Sequence, residues 1–364
     1  MSGTEAIDVD YADPDRVEMA AKAILHPAVY DFFAGGAGDE SALALNLASW
    51  RAIRLRPHVL RPAAHPDLSV TVLGSRLAAP VAIAPMGYQR LAHPDGERAS
   101  AVAAARAGAA MTLSTYATTR LEDVRAAAPG GVQWFQAYIL QDRGLTADLL
   151  QRAAASGFTA AVLTVDATVP GDRRRDRRHG YALPHADGIG LPNLGGAGLD
   201  AAYSTRLEAD LDPDMIGWVR DISGLPVAVK GVLHPDDARI CVEAGAAAVV
   251  VSNHGGRQLD AAVATADALA DVADAVADRA DVLVDGGVRC GADVVRALAL
   301  GARAVLVGRP VLWALANHGE EGVTRMLSSL IEDIGRCLRM CGAASVTALG
   351  PDVLARTRQR PRGR

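Results

Sequence analysis

Residues 282–309 read VLVDGGVRCGADVVRALALGARAVLVGR, and the fold is decided there. An apolar run, VLV, breaks at Asp285 into glycines and Arg289. GADVVRALALG follows with apolar residues at helical spacing and stops at Gly301, after which AVLVGR repeats the opening pattern. Short β-branched runs without polar alternation are strands buried on both faces. Two such strands joined by one crossover helix lie parallel.

Outward from this unit, the same rhythm begins at Pro80. VAIAPMG (81–87), MTLS (111–114), WFQAYI (134–139), AAVLTVD (160–166), PVAVKG (226–231) and AAVVVSNHG (247–255) precede the two runs already quoted, which makes eight. Ala-rich helical stretches such as GERASAVAAARAG and LTADLLQRAAASG lie between them. Eight β-then-α units predict an α/β fold, a (β/α)8 TIM barrel over residues 80–349, in preference to an open doubly wound sheet. No GxGxxG fingerprint follows the first strand. Residues 1–79 predict an N-terminal helical extension and an approach to the barrel, helical over 14–50 with an interruption at Pro27 and a stop at Gly35 and Gly36. Short strands such as LSVTVLG follow that extension. The Gly-rich interruption at about 183–212 predicts a mobile lid. EEGVTRMLSSLIEDIGRCLRMCG predicts an amphipathic closing helix, and 350–364 a disordered tail.

Half of the 364 residues are apolar and 22% are charged, enough for a large core and too few charges for disorder. A net charge of −5 carries no basic excess, so no nucleic-acid partner is implied. Neither a signal-peptide pattern nor a membrane-length apolar run is seen. Cys241, Cys290, Cys337 and Cys341 show neither metal nor disulfide spacing. A reduced, cytoplasmic protein without a metal is the expectation. Of 37 basic residues only Lys22 and Lys230 are lysines, and Lys230 stands inside an apolar run.

Barrel enzymes build their sites at the C-terminal ends of the strands. Here those ends carry Pro85, Met86 and Gly87; Ser114 and Tyr116; Gln136 and Tyr138; Thr164 and Asp166; Lys230; Ser252, His254 and Arg257; Asp285, Gly286, Gly287 and Arg289; and Gly308 with Arg309. The last two groups pair glycines with an arginine, a pattern that holds a phosphate of either a cofactor or a substrate. Lys230 is open to three roles: a Schiff-base nucleophile, a fixed charge beside a cofactor, or a snorkelling surface group. Asp166 and His254 suggest a carboxylate steadying an imidazolium, against the simpler alternative of a structural hydrogen bond. Arg173 can reach the site from the fourth loop, whereas Arg174, Arg175, Arg177 and Arg178 look like a solvated basic run.

SNHGGRQLD (252–260), with YDFFAGGAGDE, WFQAY, LTVDA, PVAVKG, DGGVR and LGARAVLVGRP, resembles the FMN-dependent α-hydroxy-acid oxidase and dehydrogenase family from about Asp13 to Leu349. The resemblance implies FMN as cofactor and oxidation of a small 2-hydroxy acid to the 2-oxo acid. It implies that Pro85, Met86, Gly87, Ser114, Gln136 and Thr164 hold the isoalloxazine ring. Lys230 would stabilise the reduced ring, with Ser252 in the same cofactor-binding set. Asp285, Gly286, Gly287, Arg289, Gly308 and Arg309 would bind the ribityl phosphate end. His254 would be the base and Asp166 its partner. Arg257 and Arg173 would clamp the substrate carboxylate, and Tyr138 would bond the substrate. A homotetramer is implied by the resemblance alone.

Three positions depart from the family pattern. Phe32 stands where a substrate-binding Tyr is usual, Tyr116 where glycolate oxidases carry Trp, and Gly87 where many oxidases carry Ala. Phe32 and YQRLAHPDGE are most similar to bacterial mandelate and 4-hydroxymandelate oxidases, which implies a bulky, aromatic substrate. The fourth-loop insert lacks a dense apolar or basic stretch, and no haem domain precedes the barrel. Both point to O2 as acceptor with H2O2 as product, while Gly87 leaves a dehydrogenase with another acceptor as an alternative. A Schiff-base lyase using Lys230 and a flavin-binding barrel without catalysis are the rival functions.

Overall fold

A computed structural model describes residues 9–180, 189–195 and 207–355. Helices α1 (Pro14–Ile24), α2 (Pro27–Ala34) and α3 (Ser41–Ala52) form the N-terminal extension, followed by an antiparallel hairpin of β1 (Val70–Val72) and β2 (Ser75–Leu77). Pro14 and Pro27 each occupy a first helical position, where a missing N–H costs nothing. The interruption expected at Pro27 is therefore the start of a new helix.

The barrel strands are β3 (Val81–Ile83), β4 (Ala110–Leu113), β5 (Val132–Ala137), β6 (Ala160–Thr164), β7 (Val227–Val232), β8 (Ala248–Val251), β9 (Asp281–Val284) and β10 (Ala304–Val307). They close in chain order into one parallel barrel, with β10 paired to both β9 and β3. Every residue of β3, β4, β6, β8 and β10 is buried, as strands covered on both faces require. Around them lie α4 (Gly96–Ala107), α5 (Leu121–Ala127), α6 (Arg143–Ser156), α7 (Arg174–Arg178), α8 (Asp214–Ser223), α9 (Pro235–Glu243), α10 (Thr265–Val276), α11 (Gly291–Ala299) and α12 (Arg309–Cys341). The closing helix expected from residue 320 is the second half of α12, which breaks at His318 and Gly319. Among the described residues no helix is long and apolar enough to cross a membrane.

Two boundaries differ from expectation. The start of the segment expected to be a disordered tail from residue 350 is ordered: Pro351–Val353 forms a 3-10 turn, Val353 is buried, and Leu354 pairs with Leu55. Backbone bonds from Arg56 to Val353 and from Ala355 to Arg54 hold it there, and the rest of the tail lies outside the described residues. Much of the expected lid, 183–188 and 196–206, also lies outside them. Within 189–195 it is anchored: Leu191 is fully buried, and buried Asn193 accepts from Leu121 N and donates to Thr119 O.

One irregularity aims the site. The register between β7 and β8 slips between Lys230 and Val232, a bulge centred on Gly231 at φ 112°. A Cβ at Gly231 would stand 2.5 Å from that of Asp166, so only glycine lets the two strand ends approach.

Candidate active site

The strand ends open into one cavity, and the extension closes its side. Of the residues singled out in the sequence, Phe32, Pro85, Met86, Gly87, Ser114, Tyr116, Gln136, Tyr138, Thr164, Arg173, Lys230, His254, Arg257, Asp285, Gly286, Gly287, Arg289, Gly308 and Arg309 line it. Asp166 and Ser252 stand immediately behind. Asp166 Oδ1 lies 2.8 Å from His254 Nδ1, and the Ser252 hydroxyl accepts from both Lys230 Nζ (2.8 Å) and His254 N (3.0 Å).

His254 adopts φ 57°, the left-handed region that side chains avoid. Asn253 holds the turn: its Oδ1 accepts from Gly256 N at 3.1 Å and from buried Asn46 at 2.9 Å. Burial pushes the imidazole pKa down, outweighing the opposite pull of Asp166, so the ring is kept neutral. Burial acts to raise the Asp166 pKa, but His254 and Lys230 outweigh it and the carboxyl stays ionised. Lys230 forms a buried ion pair with Asp285 at 3.1 Å. Burial disfavours its charge, yet Asp285 and Asp166 together hold the ammonium above its ordinary pKa.

The other half of the cavity carries two arginines without a direct ion-pair partner among the described residues. Arg289 donates to Val288 O, and no carboxylate lies within ion-pairing distance of it among the described residues. Burial pushes its pKa down. Arg309 donates to three backbone carbonyls, those of Phe33, Gly35 and Gly255, and burial with the neighbouring Arg289 charge pushes its pKa down to about 10. Two guanidiniums so placed are suited to an anionic group such as a phosphate. Gly286 and Gly287, at φ 85° and 88°, turn the chain against α3, where a Cβ on Gly287 would stand 2.4 Å from Asn46 O.

Buried polar atoms left without a partner mark the remaining wall. Among the described residues they include Gln136 Nε2, Thr164 Oγ1, Asp285 Oδ1, Tyr116 Oη and Arg173 Nε, all on residues that line the cavity. Native interiors leave few such groups, so a polar ligand is expected to satisfy them. A flat heteroaromatic ring with carbonyl and N–H edges, carried on a phosphate-bearing chain, fits this donor set and the arginine end alike.

Aromatic rings form a third wall. Phe32 meets Tyr88 edge-on at 5.4 Å, Tyr88 stacks on Tyr116 at 6.4 Å, and Tyr116 tilts against Tyr138 at 5.3 Å. The Arg257 guanidinium lies 5.3 Å over the Phe32 ring. Burial raises the Tyr138 pKa, with Asp166 adding to the shift and Arg173 and Arg257 opposing it.

Several contributors were not singled out from the sequence. Tyr88 and Gln258 lie inside quoted motifs and line the cavity, with Gln258 donating to Asp166 O and Val169 O at 2.9 Å. Glu97, fully buried, accepts from Gln89 N, Thr118 N and the Thr118 and Thr119 hydroxyls. Through Gln89, which donates to Met86 O at 3.3 Å, it braces the first strand end. Arg175 corrects an expectation: it is a partly buried residue paired with Glu40 and Asp31, not a member of a solvated run, because the extension covers it.

Residues 21–356 match the family model described as FMN-dependent dehydrogenase. An L-lactate oxidase from Nostoc sp. is 44% identical over 90% of this chain and 94% of its own length. A 4-hydroxymandelate oxidase from Amycolatopsis orientalis is 42% identical over 93% of this chain and 96% of its own. A crystal structure of mandelate oxidase superposes with a TM-score of 0.88 at 41% identity, covering 95% of this chain and 98% of that one.

Proposed function

Because the chain belongs to the FMN-dependent dehydrogenase family, we propose that it oxidises an aromatic or otherwise bulky 2-hydroxy acid to the 2-oxo acid, with O2 as electron acceptor and H2O2 as product. The coarser activity, FMN-dependent oxidation of a 2-hydroxy acid, follows from the family and from relatives that are lactate, glycolate and hydroxymandelate oxidases. The observation that carries it is the 2.8 Å His254–Asp166 couple, which opens into the same cavity as Arg173, Arg257 and the unpartnered ring-edge donors.

The reaction removes two electrons and two protons from the substrate's CHOH centre. Bound FMN supplies the two-electron acceptor. Ser114, Gln136, Thr164 and Lys230 are suited to its ring edge, and Asp285, Gly286, Gly287, Arg289, Gly308 and Arg309 to its phosphate-bearing chain. His254 Nδ1 is occupied by Asp166, so Nε2 takes a substrate proton, and the ionised Asp166 stabilises the imidazolium that results. Lys230, kept protonated, provides a fixed positive charge where negative charge develops. Arg257 and Arg173 receive the carboxylate, and Tyr138 bonds the substrate oxygen. The aromatic wall from Phe32 to Tyr138 supports an aromatic side chain on the substrate.

A Schiff-base lyase is disfavoured by the same lysine. Its amine is held as an ammonium by Asp285 and lacks the lone pair that attack on a carbonyl requires. A cytoplasmic homotetramer completes the proposal on resemblance, and light scattering of the purified holoprotein tests its stoichiometry. The deciding experiment is anaerobic bleaching of the flavin by glycolate, lactate, mandelate and 4-hydroxymandelate, followed by air. Fastest bleaching by the aromatic acids, with peroxide on reoxidation, is the expected result. Glycolate or lactate turning over well above mandelate sinks the aromatic assignment, and bleaching without peroxide replaces O2 by another acceptor.

A further inference from the structure

The short loop between α2 and α3, residues 35–40, is gripped from three sides. Ala37 N donates to Gly256 O (2.8 Å), Gly38 N to Asp172 O (2.9 Å), and Asp39 N and Ala42 N to the Asp260 carboxylate (3.1 and 2.9 Å). The Gly35 carbonyl accepts from Arg257 Nη1 at 2.8 Å and from Arg309 Nη2 at 3.0 Å. Arg257 Nη1 also donates to Phe32 O at 2.7 Å, so two backbone oxygens of the N-terminal extension, one of them the Gly35 carbonyl, orient the guanidinium that the substrate carboxylate is proposed to meet.

Glu40 holds the Gly35 carbonyl in place. Its Oε1 accepts from Gly36 N at 3.1 Å, and its two oxygens take the fork of Arg175, Nε and Nη2, at 2.6 Å each. Arg175 also reaches Asp31 on α2, at 3.4 Å, and stands two residues beyond Arg173, the other proposed carboxylate ligand. Glu40 itself is bent to φ 70°, a left-handed conformation that a side chain takes only where surrounding structure imposes it. The loop has no slack. A Cβ would stand 2.7 Å from Asp31 O at Gly35 and 2.9 Å from Gly256 O at Gly36, so a shift of Glu40 passes to the carbonyl instead of being absorbed.

We propose that Glu40, acting with Arg175, is a positioning residue for recognition of the substrate carboxylate, setting Arg257 through the Gly35 carbonyl and Arg173 through the fourth loop. This makes the N-terminal extension a working part of the barrel's site, and it rests on the carboxylate-binding role proposed for the two arginines. Glu40 touches neither substrate nor cofactor, so its removal distorts one kind of recognition and spares the rest.

The test is calorimetric titration of the holoenzyme with phenylacetate, which presents a carboxylate but cannot be oxidised, and with phenylacetamide, its neutral counterpart. Glu40→Gln is expected to weaken phenylacetate about tenfold, the worth of a misaligned charge-assisted bond, and phenylacetamide by less than about twofold. A merely structural residue weakens both probes alike or neither, and either outcome overturns the proposal. Arg175→Met reads the same split if Glu40→Gln does not fold. Native protein that binds neither probe and is not bleached by 2-hydroxy acids overturns the underlying function instead. Native binding with an unsplit response in the variants overturns only the role of Glu40.

Discussion

The two halves of the cavity treat charge in opposite ways. At the ends of β6, β7 and β8 two ionisable side chains face carboxylates, His254 with Asp166 at 2.8 Å and Lys230 with Asp285, reaching across from the end of β9, at 3.1 Å. At the ends of β9 and β10, Arg289 and Arg309 bond backbone carbonyls. Paired groups in a buried setting adjust where protons reside, whereas guanidiniums without an ion-pair partner are suited to an anion. This contrast supports the proposed division, proton transfer in one half and cofactor binding in the other.

Substitutions that separate the halves break or sharpen this contrast. The largest effect is expected for His254→Ala, which removes the base: flavin reduction in stopped flow should fall on the order of 10²- to 10⁴-fold while FMN stays bound. A variant that bleaches at the native rate removes His254 as the base. Next is Lys230→Met. Leaving Asp285 as an unpaired buried charge should cost about 3–5 kcal/mol of stability by denaturant titration, and adding Asp285→Asn should return much of it. Two additive losses would mean that the pair is not coupled.

Arg289→Met acts on the other half. Loss of one charged hydrogen bond to the phosphate should weaken FMN by about 10- to 100-fold, measured by fluorescence on reconstitution of the apoprotein. FMN retained at native affinity would leave the arginine end without its anion. The smallest effect lies in the pH profile. Burial lowers the His254 pKa below its ordinary 6.5, so the neutral base persists below that pH and kcat/KM is lost as pH falls through the depressed value. Asp166 favours the charged ring, so Asp166→Asn should move this acid limb to still lower pH. A limb that moves upward contradicts the assignment.

The chemical half was the more legible from sequence. Lys230 stood out as one of two lysines among 37 basic residues, and His254 and Arg257 stood in a motif at a strand end. The phosphate half was legible as glycine next to arginine, but the direction of the side chains was not. The Arg309 guanidinium turns to Phe33, Gly35 and Gly255 carbonyls supplied by distant segments. In GDRRRDRR the resemblance set Arg173 apart, but nothing in the string distinguished Arg175, locked to Glu40, from the exposed arginines beside it. Their difference arises from α2 and α3, more than 130 residues away in the chain by the separation of Glu40 and Arg175.

Taken by itself, the sequence determined the barrel and the residue types at its mouth. Strand and helix periods are local, and eight repeats of one local pattern admit a single closed solution. It also determined that a base, a carboxylate, an ammonium and several guanidiniums would be available there. Tertiary structure alone decided which of them act together. The slip at Gly231 that brings Asp166 toward Lys230, the strained turns at His254 and Glu40, and the Gly35 carbonyl shared by two arginines are contacts between segments far apart in sequence. A backbone oxygen carries no signature in a string of side chains, and its value as an acceptor appears only when the chain folds against it.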